Sequence, residues 1–437
     1  MSFALFIVLN GVVLIRPEDF IPEITGARLY LWVMILCLLT ALPRLAAQLS
    51  PRELANRPIN LCVIGLLIAA AASQLVRGHT VSAEEFVPEF AKVIVYYLLL
   101  CAVVDTPWRF RVFLGWQVVF VTILAAIAVL EFHEYLQLDA ITPVLQPSLD
   151  PETGAYMTVP RMCSAGIFND PNDLCLILVF GTFCSLYFAA TSARWLVSVL
   201  WALPSLLFGY ALLMTQSRGG LLGMLAAVGT LIWCKYGWRR ALPLLAVCLP
   251  AAVLAIGGRQ SDIGVSGGTG YERIMLWAAG FTELFRSPFL VLFGIGAGDF
   301  AEAIGQVAHN SFVHAYVEMG LLGGTLFLGA FATAIWLLIR LHRNGLGALP
   351  RELRSAWPFV LAMVVGYSVS IFTLSRNYIV PTYLCLGLAA TFLSMAMPNP
   401  PSEARVSMKW LMRLTVIGIG GLVFLKFFTQ FAGGLGV

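Results

Sequence analysis

Four side chains stand out for chemistry in a sequence where only 11% of residues are charged. Three are arginines: Arg161 in Pro160-Arg161-Met162-Cys163-Ser164, Arg218 in Thr215-Gln216-Ser217-Arg218-Gly219-Gly220, and Arg273 in Gly270-Tyr271-Glu272-Arg273. The fourth, His309, opens the run His309-Asn310-Ser311-Phe312-Val313-His314-Ala315-Tyr316-Val317-Glu318-Met319-Gly320. Arginine stays charged at any working pH and presents a planar fork of donors that matches phosphate oxygens. Histidine is the side chain type whose reference pKa lets it accept a proton near neutrality. The set suits a strongly anionic substrate, such as a diphosphate, whose acceptor hydroxyl must lose a proton. His314 follows His309 at a spacing that pairs poorly on a helix and is not a zinc signature. No metal or other cofactor is demanded, because arginines can neutralise a leaving diphosphate; Asp262 and Asp299 stand isolated in sequence.

Each residue also has a structural reading. Arg218 lies at a junction between apolar runs, where it can snorkel to head groups. Arg273 can pair with Glu272 on a surface helix, Arg161 can lie on a loop surface, and His309 can act only as a hydrogen-bonding group. Thr215, Gln216 and Ser217 can satisfy the backbone of their turn, while Gly219 and Gly220 permit close approach of a helix or a ligand. In Asn169-Asp170-Pro171-Asn172-Asp173, Asn172 or Asp173 can cap the helix that follows. Glu318 is either a paired boundary carboxylate or a group that orients a neighbour.

The elements that position these residues belong to a membrane. Of 437 residues, 59% are hydrophobic, whereas a soluble domain carries about 25% charged residues. The composition therefore excludes an ordinary cytosolic enzyme, and a net charge of +4 leaves no basic domain for nucleic acid. There is no Walker A pattern and no CxxC. Apolar runs fall at 2–15, 28–48, 60–75, 91–104, 111–131, 173–190, 195–213, 219–235, 241–257, 317–340, 355–374, 378–396 and 412–428. They predict an all-α integral membrane protein: a single polytopic domain, 1–437, with a bundle of about 12–13 transmembrane helices at about 20 residues each. The first run lacks a basic leader and a small-residue cleavage site, so it reads as a short retained span.

With the N-terminus inside, short inward loops hold Arg44, Arg52, Arg57, Arg109, Arg111, Arg194, Lys235, Arg239, Arg240, Arg340, Arg343, Arg351, Arg354, Arg405, Lys409 and Arg413, the majority of the 27 basic residues. Basic short loops stay cytoplasmic. This orientation makes 132–172 and 258–316 long periplasmic loops and puts Arg161, Arg218, Arg273, His309 and Arg376 on the outer side. Within the second loop, Gly264 to Gly270 would turn tightly or flex, and 271–288 would form an amphipathic helix near the membrane surface. Outward arginines on a hydrophobic bundle suit a substrate that is anionic and lipid-linked. The outer compartment of a bacterium has no nucleotide-sugar supply, which favours a donor already activated as a polyprenyl diphosphate.

At these residues the sequence resembles the bacterial O-antigen ligase and polysaccharide polymerase superfamily. The matching pieces are TQSRGG at 215–220, GYERIMLW at 270–277, and GIGAGDF at 294–300 followed by HNSFVHAYVEMGLLG at 309–323; RMCSAGIFNDPND at 161–173 adds a further element. The resemblance implies an inverting, metal-independent glycosyltransferase in the inner membrane, working on undecaprenyl diphosphate-linked glycan at the periplasmic face. Its acceptor would be the lipid A core, a protein hydroxyl or another glycan. By motif position Arg218 and Arg273 would contact the diphosphate, His309 would be the catalytic base, and Arg161 would add a donor contact. Two other readings remain. A polymerase would extend lipid-linked repeats, and a flippase or secondary transporter would carry charged residues on both faces of a central cavity. A purely structural scaffold explains the histidine and arginines least well.

Overall fold

A computed structural model describes residues 1–149, 156–243, 246–247 and 269–434. Most of the apolar run 241–257, Asp262 and Gly264 to Gly268 lie outside the described residues. Among the described residues ten helices are long and apolar enough to cross a membrane. Two more, Ser2–Ile15 and Val380–Ala396, have 14 and 17 residues. These twelve coincide with twelve of the expected runs, so the chain is an α-helical polytopic bundle consistent with a multi-pass inner-membrane protein. Most are apolar on every side, as helices shared between lipid and protein neighbours must be.

Helix starts are written locally. Ser50, Thr106, Asp170 and Ser217 each accept a hydrogen bond from a first-turn N–H, and proline occupies the first turn after the first three. The helix expected to be capped by Asn172 or Asp173 instead starts at Pro171 with Asp170 as its cap. Proline fits the first helical position, so the boundary moves back to the carboxylate before it. The run 91–104 extends to Thr80–Val103, because a helix continues through its polar first turns once they can be solvated. The segment 132–172 contains an antiparallel hairpin, Val144–Leu149 with Tyr156–Arg161, the one sheet among the described residues. Within 258–316 the expected amphipathic helix is Thr269–Leu284, followed by the short helices Pro288–Phe293 and Phe300–Ile304.

The chain divides into two compact units. The first comprises Met1–Arg44, Leu99–Asp262 and His342–Ser370. Its centre is the Pro171–Thr191 helix, buried over most of its surface. Beside it, Arg218–Tyr236 and Arg351–Ser370 meet through small residues four apart. A Cβ on Gly223 would lie 2.8 Å from the Gly366 carbonyl, and one on Gly366 would lie 2.7 Å from the Ala227 methyl. Lipid tails are as apolar as leucine, so close backbone packing of this kind is what holds such helices together.

The second unit comprises Leu45–Leu98, Ile263–Leu341 and Ile371–Val437. Its long helix Ser311–Asn344 is broken at Gly320, which has φ 63° and ψ −163°. The break frees two carbonyls: Val317 accepts from Ile295 N–H at 3.0 Å and Glu318 from Gly296 N–H at 3.1 Å. A Cβ at Gly294 or Gly320 would collide with the facing backbone. The glycine segment 294–298 thus docks as a turning, positive-φ chain on a helix opened to receive it.

Candidate functional site

In the first unit the structure joins the Arg161 segment to the Arg218 turn. Arg161 ends the second hairpin strand and is buried. Its Nε donates to the Thr215 carbonyl at 2.9 Å, Nη1 to Gln146 Oε1 at 2.9 Å and Nη2 to Asn172 Oδ1 at 3.2 Å. Met162 N–H adds a bond to the Met214 carbonyl at 3.1 Å. Burial lowers the Arg161 pKa, opposed by the nearby Asp170 carboxylate. A buried guanidinium needs such acceptors, and these tie it to three different stretches of chain. Asn172 Oδ1 also accepts from Ser217 Oγ at 2.7 Å, and that hydroxyl caps Gly220 N–H at 3.1 Å. Arg218, half-buried, is therefore the first residue of a helix whose cap is pinned from behind. Gln216 adopts a left-handed backbone, φ 51°, a conformation seldom taken by residues with a Cβ. Arg161→Lys keeps the charge but cannot reach three acceptors in a plane; thermal unfolding should show a loss of about 1–2 kcal/mol, and an unchanged melting temperature would reject this clamping role.

In the second unit the Arg273 helix is tied to the residue before His309. Arg273 lies one turn before Trp277, whose indole N–H donates to the Ala308 carbonyl at 2.6 Å. His309 itself is half-buried and left-handed, φ 49°. Strained backbone at a non-glycine residue persists only where the surroundings enforce it, and it gathers at functional sites. Here the enforcement is visible. Asn310 Oδ1 accepts from the N–H groups of Phe312 and Val313 at 3.0 and 3.2 Å, starting the helix immediately after His309. Ser311 is held by Arg376 N–H at 2.9 Å and by Asn377 Nδ2 on its carbonyl at 2.7 Å. The Arg376 backbone is thereby fixed at Ser311, two residues after His309, a connection that sequence order conceals.

Behind that turn lies a polar network the motif reading did not assemble. His314 Nε2 meets Glu318 Oε1 at 2.6 Å, Tyr378 donates to Glu318 Oε2 at 2.5 Å, and Phe300 N–H donates to Oε1 at 3.0 Å. Burial, then the Glu318 carboxylate, push the Tyr378 pKa up, so its hydroxyl stays a donor. His314 and Glu318 stand four apart, the helical spacing that could have revealed the pair; Tyr378 and Phe300 give no such signal. Glu318 is thus a buried carboxylate paired with His314 that also receives Tyr378 and the Phe300 N–H. Asp299 receives Gln74 Nε2 at 3.0 Å and His79 Nδ1 at 2.9 Å. Gly296, at φ 119°, leaves the space this carboxylate fills. Among the described residues no three histidine, cysteine, aspartate or glutamate side chains gather as a metal site.

No curated protein matches the chain. A family model does: residues 203–328 match O-antigen ligase. That stretch contains Arg218, Arg273 and His309, and Arg161 lies outside it. The match points to the O-antigen ligase and polymerase superfamily and to a glycosyltransferase-like activity on glycan or lipid substrates. The segment that carries the left-handed histidine and the capped arginine turn is the part of this membrane protein that is similar to O-antigen ligase.

Proposed function

We propose that the chain transfers a glycan from undecaprenyl diphosphate to a hydroxyl acceptor, the lipid A core or a related one, at the periplasmic face. The acceptor oxygen attacks the anomeric carbon as the bond from that carbon to the diphosphate oxygen breaks. His309 takes the hydroxyl proton, the diphosphate leaves with the bonding electron pair, and the anomeric configuration inverts. Arg218 and Arg273 bind the charge that grows on the leaving group, the kind of stabilisation that is strongest in the transition state. Arg161 serves by holding the Arg218 turn. The chemistry asked of the protein is proton removal and charge neutralisation, which these side chains supply without a cofactor.

The observation that carries this reading is the O-antigen ligase match over 203–328, coinciding with His309 held at φ 49° beside the Arg273 helix. A clean deletion tests it through the glycan the cells then make. Unligated polymer on its lipid carrier is the expected result. Single repeats would instead identify a polymerase, and lipid-linked units retained in the cytoplasm would identify a transporter.

The orientation is tested separately. Single cysteines at Tyr135 and Glu302 should react with an impermeant thiol reagent in intact spheroplasts, and one at Ala348 only after the membrane is opened. The reverse pattern would place 132–172 and 258–316 in the cytoplasm and end the periplasmic proposal.

A further inference from the structure

The first unit contains a second cationic site, unrelated to Arg161 or Arg218. A cavity of about 710 Å³ opens where the start of Arg351–Ser370, the link between Pro171–Thr191 and Trp195–Met214, and the first turns of Pro107–Phe132 meet. Arg111, Arg194 and Arg351 line it, with Glu352 as its one carboxylate. All three arginines belong to the set that the loop bias assigns to the cytoplasmic side.

What sets them apart is that all three line one cavity, whereas four other inward arginines are held in ion pairs. Arg44 and Arg109 share Asp105, Arg57 pairs with Glu53, and Arg340 pairs with Glu403. Among the described residues Arg111, Arg194 and Arg351 form no ion pair, although Glu352 lines the same cavity. Arg111 is instead braced by aromatic faces, its guanidinium carbon 6.0 Å from the Tyr187 ring centre and 5.4 Å from that of Phe188. The hydroxyls at the rim are engaged elsewhere: Thr191 donates to the Tyr187 carbonyl at 2.8 Å and Ser192 to that of Phe188 at 2.7 Å. The Trp195–Met214 helix also begins without a side-chain cap, leaving first-turn N–H groups beside the cavity.

We propose that this cavity binds the phosphate of an anionic phospholipid from the inner leaflet. Three arginines and one glutamate lining the cavity leave a net positive site, which a phosphate complements. The occupant is a lipid because the cavity wall continues as exposed apolar helix. Val197 lines the cavity, and Leu196, Leu200 and Leu203 follow on the same helix as an exposed stripe at helical spacing. Trp195 stands exposed at its head, where an indole fits the membrane interface. Acyl chains can lie along that stripe with the headgroup in the cavity.

The test uses the full-length protein in nanodiscs of equal phosphatidylglycerol and phosphatidylcholine, with lipid retained after detergent extraction read by native mass spectrometry. The wild type should retain phosphatidylglycerol preferentially. Arg111→Gln, Arg194→Gln and Arg351→Gln should each weaken retention about 5-fold, the weight of one basic side chain at an anionic membrane surface. Arg44→Gln, which removes an arginine already paired, should leave it unchanged. Equal retention of both lipids by the wild type would overturn the proposal whether or not any variant folds. Displacement of the lipid by millimolar inorganic phosphate would overturn it too, identifying a soluble anion as the ligand. Three variants that retain lipid like the wild type would show that general membrane charge, not this cavity, selects it.

Discussion

Glycan transfer by His309→Ala is expected to fall about 10²–10⁴-fold, the usual scale for loss of a general base. The structure adds a requirement to this experiment. His309 occupies the left-handed region at φ 49°, which alanine adopts with strain and asparagine tolerates. A fall in His309→Ala alone could therefore report a displaced loop. His309→Asn retains the backbone and removes the base, so both variants should lose turnover equally while binding donor normally. His309→Gln adds a third comparison, because it keeps a hydrogen-bonding side chain. The assay needs a defined polyprenyl-diphosphate donor and acceptor, with product followed directly and donor affinity measured apart. Near-normal turnover in His309→Asn would remove His309 from the chemistry. Activity kept by Gln and Asn but lost in Ala would assign it to positioning.

Arg218→Lys and Arg273→Lys should each weaken donor binding by roughly 10- to 150-fold, the equivalent of one charge-assisted hydrogen bond of about 1.5–3 kcal/mol. Lysine retains the charge, so the loss isolates the planar fork that suits a diphosphate. Arg218 is the more demanding case, since Ser217 caps its helix and the same hydroxyl is tied to Asn172. Those contacts belong to Ser217 and persist in the variant, which should fold normally. Wild-type donor affinity and turnover in both folded variants would dismiss the clamp. A loss confined to turnover would instead place the arginines on the transition state, where the charge on the leaving diphosphate is greatest.

What could be read from the sequence was whatever depends on neighbours along the chain. Apolar runs mark their own helices because a span must satisfy every backbone group internally, and twelve of the runs are helices, although the fourth begins at Thr80 and the tenth at Ser311, before the apolar stretch. Capping is equally local, and the Asp170-Pro171 start was misplaced only by a choice among adjacent polar residues. The amphipathic segment after Gly270 and the Arg218 turn were legible for the same reason. The i, i+4 spacing of His314 and Glu318 is likewise local, and it is this spacing, not that from His309, that places the pair on one helix face.

Contacts between distant stretches were decided by tertiary structure alone. Nothing in the apolar run around Gly320 announces a broken helix; the break is sustained because Ile295 and Gly296 supply N–H donors to the freed carbonyls. In sequence Arg161 reads as a donor contact or a loop-surface arginine; only the packed chain shows Gln146, Asn172 and Thr215 closed around its guanidinium. Arg376 comes to the turn after His309 through Ser311, and Tyr378 to Glu318 across 60 residues. The physical reason is common to all of them. Helix periodicity, caps and charge bias are set by short-range energies that a linear string contains, whereas a buried polar atom takes whichever partner the packed chain brings within about 3 Å.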